Sequence, residues 1–206
     1  MSSENKRGRV ADIEGMDSNS SDAEVLALSA VEPSVFAILY GRHHIAVRRY
    51  VARRVGSAAG DDLAAEVFTR AFRGRERCRV ERASVLPWLL GVANHVIADH
   101  RRTEQRRLKA LQRLAATEPQ LVEHEDRALS ADLVRQLRRL SGEDRDALLL
   151  VVWGELSYEE AAAALEVPIG TVKSRIARAR RVLGSTVGPP DRRRSGELRE
   201  TKLFNA

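Results

Sequence analysis

Residues 157–183 read SYEEAAAALEVPIGTVKSRIARARRVL, and they carry the strongest structural signal in the chain. Ser157 followed by Glu160 forms a capping box that begins a first short helix. Pro168 ends that helix, because proline has no backbone N–H to donate to the preceding turn. The inward stripe of the next helix is predicted to consist of Val172, Ile176, Ala179 and Leu183. The pattern predicts two short helices joined by a tight turn.

The second helix of this pair is strongly basic. It contains no acidic residue, and its cations are Lys173, Arg175, Arg178, Arg180 and Arg181. Such a helix suits a DNA major groove, where its first turn reaches base edges and later residues hold phosphates. The predicted base contacts are Thr171, Ser174 and either Lys173 or Arg175. The predicted phosphate contacts are Arg178, Arg180 and Arg181. A solvated basic face in an ordinary helical bundle is the alternative, and the missing acids disfavour it.

The composition predicts an all-α protein. Of the 206 residues, 43% are hydrophobic and 31% are charged, but only 4% are aromatic, so aliphatic side chains must build the cores. The formal net charge of +6 favours a polyanionic partner. This charge is unevenly spread, since residues 41–107 contain fifteen Arg against seven Asp or Glu, whereas the region around 118–132 is acidic.

The sequence divides into two small helical domains joined by a flexible linker, the second a four-helix domain with a helix-turn-helix. In chain order, the predicted parts are a disordered N-terminal segment (1–21), a first helical domain (22–107), the linker (108–126), the second domain (127–184) and a tail (185–206). Two alternatives stay open. Residues 108–116 could prolong the preceding helix, and the tail could add phosphate contacts through Arg192 to Arg194 or be disordered.

Four helices are predicted in the first domain, beginning near Asp22, Pro33, Gly60 and Ser84. The second of them ends near residue 55, and its inward stripe is predicted to consist of Phe36, Tyr40, His44, Val47, Val51 and Val55. The third ends near residue 73, and in it Asp62 and Glu66 lie four residues apart, so they share one exposed face.

No catalytic or metal-binding pattern stands out in the sequence. The five histidines lack the Cys/His spacing of a zinc site, and no phosphate-binding glycine loop occurs. Cys78 is the only cysteine, so an internal disulfide is excluded. We therefore predict a protein with no cofactor and no enzymatic activity of its own. The lack of a signal peptide and of a membrane-length apolar run predicts a cytoplasmic location.

Three segments together resemble one family. GDDLAAEVFTRAF at 60–72 and PWLLGVANHVIADHRR at 87–102 precede LRRLSGEDRDALLLVVWGELSYEEAAAALEVPIGTVKSRIARARRVL at 137–183. In this order they resemble the extracytoplasmic-function group of bacterial RNA polymerase sigma factors, over about residues 33–184. The resemblance implies that residues 22–107 are a region 2-like domain, which binds core polymerase and melts the promoter. It implies that residues 127–184 are a region 4-like domain, which reads upstream duplex DNA.

The acidic helix matches the surface with which the family binds the clamp helices of the polymerase. The resemblance implies that Asp61, Asp62 and Glu66 contact basic residues of core RNA polymerase. On chemical grounds alone, the acids would be explained by their favourable position near a helix N-terminus. Docking therefore depends on the family resemblance.

The segment from Trp88 to Arg102 matches the helix that meets the melted promoter strand. An unstacked strand needs polar groups for its bases and a cationic track for its phosphates. Asn94 is predicted to contact a base edge, and Arg101 and Arg102 to contact phosphates. Trp88 is predicted to pack in the core, and Asp99 to order the neighbouring arginines.

The function implied is that of a sigma factor, which binds core RNA polymerase and directs promoter recognition, DNA melting and transcription initiation. Its expected partners are core polymerase and promoter DNA, and the family also leads us to expect an anti-sigma factor. The acidic linker could mimic a nucleic-acid strand in a basic channel or be simply solvated. The alternatives for the whole chain are an autonomous helix-turn-helix repressor or activator, and an interaction module that sequesters another factor.

Overall fold

The computed structural model describes residues 20–78, 84–115 and 131–184, and within these ranges the regular structure is entirely helical. The helices are α1 (Asp22–Val31), α2 (Phe36–Val55), α3 (Ser57–Gly74), α4 (Leu86–Ala115), α5 (Ala131–Arg138), α6 (Gly142–Val152), α7 (Tyr158–Ala164) and α8 (Ile169–Leu183). The all-α prediction is confirmed. The predicted disorder at residues 1–19, the linker from 116 onward and the tail from 185 lie outside the described residues.

Helices α1 to α4 form the first block. Ser21 begins α1 through a capping box, in which its own N–H donates to Glu24 at 2.8 Å while its hydroxyl accepts from the Glu24 N–H. Helices α2 and α3 pack side by side and are joined at Gly56, whose φ of 85° lies in the left-handed region that favours glycine. This sharp reversal brings α3 alongside α2. Helix α3 begins at Ser57, three residues earlier than predicted.

The buried face of α2 differs from the predicted stripe. Leu39 and Tyr50 are fully buried, whereas Tyr40, expected in the core, is 50% exposed and stacks on His44. Both stripes have helical spacing, so periodicity alone does not choose between them. The choice follows from α4, because Asn94 of that helix accepts a hydrogen bond from the buried Tyr50 hydroxyl at 2.7 Å.

Helix α4 is longer than the predicted first domain. It continues to Ala115, so residues 108–115 of the predicted linker are helical. The structure thus resolves the alternative that the sequence left open in favour of a prolonged helix. Trp88 lies half-buried against the core, as predicted.

Helices α5 to α8 form the second block, and α7 with α8 makes the predicted helix-turn-helix. Ser157 and Glu160 form the expected capping box. Pro168 is not what ends α7, which already stops at Ala164. Glu166 takes a left-handed conformation with φ of 53°, and the Val167 N–H donates to the Ala162 carbonyl at 3.1 Å, as in a Schellman C-cap. Pro168 instead precedes α8, where its carbonyl accepts from Thr171 at 2.8 Å.

The two blocks pack against each other, with α4 crossing α7. Gly91 lies so close to α7 that a Cβ at this position would come within 2.5 Å of the Ala164 carbonyl oxygen. Two ion pairs span this seam, joining Arg49 to Glu155 at 3.0 Å and Arg54 to Asp146 at 2.5 Å. The seam therefore combines close backbone packing with charges that come from opposite blocks.

Candidate nucleic-acid and polymerase interfaces

Helix α8 presents part of its predicted DNA-reading set to solvent. Val172, Ile176 and Ala179 anchor its inner face in the core of the second block. Thr171 and Arg175 are half-buried. The exposed members of the predicted set are Lys173, Ser174, Arg178 and Arg181.

Two of the α8 arginines are held by acids at the start of α6. Arg175 donates to Glu143 at 2.6 Å, and Arg178 donates through two nitrogens to Asp144, the shortest contact being 2.8 Å. The hydrogen bonds from Arg178 hold the pKa of the Asp144 carboxyl below its usual range, so this acid stays ionised. Because these acids lie more than thirty residues before the arginines they hold, the absence of acids within the helix gave no hint of them.

The predicted polymerase-docking acids lie along α3. Asp61 and Asp62 are exposed, and Glu66 is half-exposed. Arg48 of α2 donates to Asp61 at 2.5 Å, which lowers the pKa of that carboxyl. All three acids can therefore be approached from outside, although Asp61 and Glu66 each already have an arginine beside them.

An ionic chain runs from α3 to α4. Arg70 donates to Glu66 at 2.7 Å and to Asp99 at 2.6 Å, and Asp99 also accepts from Arg102 at 2.5 Å. The bonds from Arg70 and Arg102 lower the pKa of Asp99 to about 2. Asp99 thus orders arginines on two helices, and it links a predicted docking acid to a predicted phosphate-binding arginine.

The three predicted strand-binding residues are not equally accessible. Arg102 is exposed, but Asn94 is only 7% exposed and its side-chain oxygen accepts from Tyr50 and from Arg54. Arg101 is half-buried and donates to the Arg54 carbonyl at 3.1 Å. A base contact by Asn94 thus remains a prediction, and in this arrangement its carbonyl oxygen is already occupied.

Arg54 lies beside the predicted strand-binding residues, and the sequence analysis did not single it out as a functional residue. Its side chain is 1% exposed, and it contacts both Asn94 and Asp146. Its spacing of four residues from Tyr50 would have placed it on the buried face of α2, had that face been assigned correctly. Arginine is almost never buried without a partner, so its position on the buried face would have indicated a paired or functional residue.

Among the described residues, no group of three His, Cys, Asp or Glu side chains is arranged to hold a metal ion. None of the helices within these ranges combines the length and the hydrophobicity that a membrane span requires.

Family models match both blocks. The model for sigma-70 region 2 matches residues 39–107, and the model for sigma-70 region 4 matches residues 130–183. An autonomous helix-turn-helix regulator would account for the second match alone. The paired matches therefore favour a sigma factor over the free repressor or activator that the sequence left as an alternative.

Relatives with known names agree with this assignment. The chain is 37% identical over 149 residues to the ECF RNA polymerase sigma factor SigC of Mycobacterium tuberculosis, covering 70% of this chain and 79% of the relative. It is 30% identical over 175 residues to the ECF RNA polymerase sigma-E factor of Escherichia coli K12, covering 79% and 91% respectively.

Solved structures support the fold. CnrH, in complex with the cytosolic domain of CnrY, aligns with a TM-score of 0.58 at 21% identity, covering 80% of this chain and 95% of CnrH. The sigma factor RpoE from Bartonella quintana, in complex with the anti-sigma factor NepR, aligns with a TM-score of 0.50 at 22% identity, covering 75% and 94%. Together with the family matches, these findings show that the chain belongs to the ECF group of RNA polymerase sigma factors, which direct transcription initiation.

Proposed function

We propose that this chain joins core RNA polymerase through the acids of α3 and reads a two-part promoter with its two blocks. The observation that carries the docking assignment is that Asp61 and Asp62 are exposed and Glu66 is partly exposed on one helix. Basic residues of a partner can reach them without unfolding the block. The polymerase performs the chemistry, and this subunit directs it from the cytoplasm.

The second block reads the upstream duplex element. Lys173 and Ser174 lie exposed in the first turns of α8, the part of a recognition helix that reaches base edges. Arg178 and Arg181 lie further along the helix, where phosphate contacts position it on the duplex. The first block holds the melted strand, with Arg102 exposed on α4 for this role.

A protein partner that restrains the chain is part of the proposal. CnrH is bound to the cytosolic domain of CnrY, and RpoE is bound to the anti-sigma factor NepR. We expect an anti-sigma factor here as well, and purification of the chain from its own cells with identification of bound proteins tests this expectation.

Core polymerase provides the main test. Wild-type protein should co-purify with core polymerase and support run-off transcription from a cognate promoter. Reversing two charges, with Asp62→Lys and Glu66→Lys, should abolish both activities, because the acids would then repel the basic surface they bind. Glu76→Lys, at an exposed acid just beyond α3, is the control and should leave both activities intact. Tight promoter binding by the chain alone, with no association with polymerase, would contradict the proposal.

A further inference from the structure

The seam between the blocks holds a cluster of arginines around a single acid. Arg54 of α2 and Arg101 of α4 come from the first block, and Arg145 and Asp146 come from α6 in the second. Arg54 donates to Asp146 at 2.5 Å and is almost completely buried there. In the part of the chain that the structure describes, Arg54 pairs directly with Asp146, and Arg101 and Arg145 lie close enough to interact with it electrostatically.

The charges in this cluster are poorly balanced. Burial, followed by repulsion from Arg54 and Arg145, lowers the pKa of Arg101 to about 10. Burial and the charge of Arg54 also lower the pKa of Arg145. A pKa of about 10 is low for a guanidinium, whose pKa normally lies above about 12. Although burial opposes its charged form, Tyr50 and Asp146 raise the pKa of Arg54, so the uncompensated positive charge of the cluster lies on Arg101 and Arg145.

The same site has hydrogen-bond donors with no acceptor. The Nε atoms of Arg54 and Arg145 and the side-chain amide nitrogen of Asn94 are buried and have no hydrogen-bond partner. Buried donors are nearly always satisfied in native proteins, and leaving one unpaired is unfavourable. An anion with several oxygens would satisfy donors that one carboxylate leaves unpaired. Phosphate is such an anion, and the forked guanidinium matches it well.

We propose that Arg54 is a phosphate-binding residue for the melted promoter strand, and that Asp146 occupies this anion site when the blocks are packed together. The inference rests on the proposed function, because Asn94 and Arg101, two of the three predicted strand-binding residues, are direct neighbours of Arg54. Asp146 and a phosphate require the same guanidinium. Strand binding and closure of the seam are therefore mutually exclusive.

A purely structural role for Arg54 makes a different prediction. If Arg54 only fastened the two blocks, removing either partner of its ion pair would open the seam and shift strand affinity in the same direction. If Arg54 binds phosphate, removing Asp146 frees the site whereas removing Arg54 destroys it. The two substitutions then shift strand affinity in opposite directions.

The test measures binding of a fluorescent single-stranded promoter oligonucleotide to polymerase holoenzyme assembled with each full-length variant. Asp146→Asn should tighten binding a few-fold, and Arg54→Gln should weaken it about tenfold, the size of one charge-assisted hydrogen bond. Arg54→Lys keeps the charge and should fall between wild type and Arg54→Gln. Glu155→Gln removes the other, exposed ion pair of the seam and should change affinity less than about twofold.

The salt dependence of strand affinity distinguishes a phosphate contact from a purely structural role, because a structural role would leave it unchanged. Arg54→Gln should reduce the steepness of log affinity against log salt by about 0.7, the loss of one phosphate contact on a single strand. Shifts of Asp146→Asn and Arg54→Gln in the same direction, with an unchanged salt slope, would overturn the assignment of Arg54. Failure of the wild-type chain to join polymerase at all would instead overturn the proposed function, and this inference with it.

Discussion

The arginines of α8 and the arginine of the seam are both paired with acids of α6, but the pairs differ in kind. Arg175 and Arg178 are held by Glu143 and Asp144 within one block, so these pairs survive any movement of the blocks. Arg54 is held by Asp146 across the seam, so its pair exists only while the blocks are packed. A single turn of α6 thus serves two purposes, orienting one cationic surface and covering another.

The difference shows that charge alone does not make a DNA-binding surface available. Arg178 is 50% exposed although its guanidinium is anchored, and it can still contact a phosphate. Arg54 is buried, and its availability depends on where the second block lies. The position of the acid partner in the fold decides which cation is accessible.

The largest expected effect comes from Asp146→Lys. A fourth cation in the seam leaves Arg54 buried without its counter-charge, and breaking a buried pair in this way costs about 3–5 kcal/mol. We expect the ratio of packed to separated blocks to fall by about a hundredfold or more. Fluorescence energy transfer between dyes on the two blocks measures this ratio.

Glu143→Lys is the matched control for that substitution, because Glu143 lies on the same helix but pairs within its own block. It should leave the transfer efficiency unchanged. If both variants separate the blocks equally, the distinction between the two kinds of pair is wrong.

The next effect concerns the exposed cations of α8. Replacing Lys173 and Arg181 together with alanine should weaken binding of holoenzyme to the upstream duplex element about tenfold. Each lost phosphate contact should also reduce the salt slope by about 0.9. Because Lys173 is proposed to contact a base edge, the loss of slope should come from Arg181, and an unchanged slope would mean that Arg181 does not contact the backbone. The double variant should unfold at the wild-type temperature, because neither Lys173 nor Arg181 is buried.

A smaller effect, on stability, is expected for Asp144→Asn. Asp144 accepts from Arg178 and lies in the first turn of α6, where a negative charge is favourable. We expect the free energy of unfolding at pH 7 to fall by about 1 kcal/mol, measured by urea denaturation.

The pH dependence of this contribution has a defined sign. Because the folded-state pKa of Asp144 is lowered, its stabilisation is fully present above the usual Asp pKa of about 3.9 and is lost as the pH falls through the folded value. The free energy of unfolding should therefore change less between pH 7 and pH 3 in Asp144→Asn than in the wild type. Equal losses at both pH values would contradict this assignment.

The smallest effect is expected for Glu143→Gln. The Glu143 side chain is largely exposed, and exposed ion pairs contribute little. Arg175 would lose an anchor but keep its position on α8, so duplex affinity should change less than about twofold. A larger gain in affinity would show that Glu143 masks Arg175 from DNA.

Features that depend on a few adjacent residues were predictable. The capping box of Ser157 and Glu160 is present, and the basic helix begins where the turn ends. The exposure of Asp62 follows from its position on an amphipathic helix. Pro168 shows the limit of this reasoning, because Glu166 had already ended α7 through its left-handed conformation.

Features that depend on packing between distant segments were not predictable. Tyr40 and Tyr50 both fit a helical stripe of α2, and only the hydrogen bond from Tyr50 to Asn94 of α4 selects the buried one. Glu143 and Asp144 are far from α8 in sequence, so its cations looked unpaired.

Local spacing was sufficient to predict helices and the helix-turn-helix, because caps, turns and amphipathic stripes depend on residues within a few positions of one another. The family followed from the resemblance of three segments of the sequence, which also needs no tertiary structure. The accessibility of the predicted DNA-binding residues could not be read from local spacing. Arg54 pairs across the seam with Asp146 of the second block, whereas Asn94 is held by Tyr50 and Arg54 of its own block, and Arg101 donates to the Arg54 carbonyl. Burial and electrostatic pairing depend on groups far apart in the chain, and they exist only once the folded helices meet.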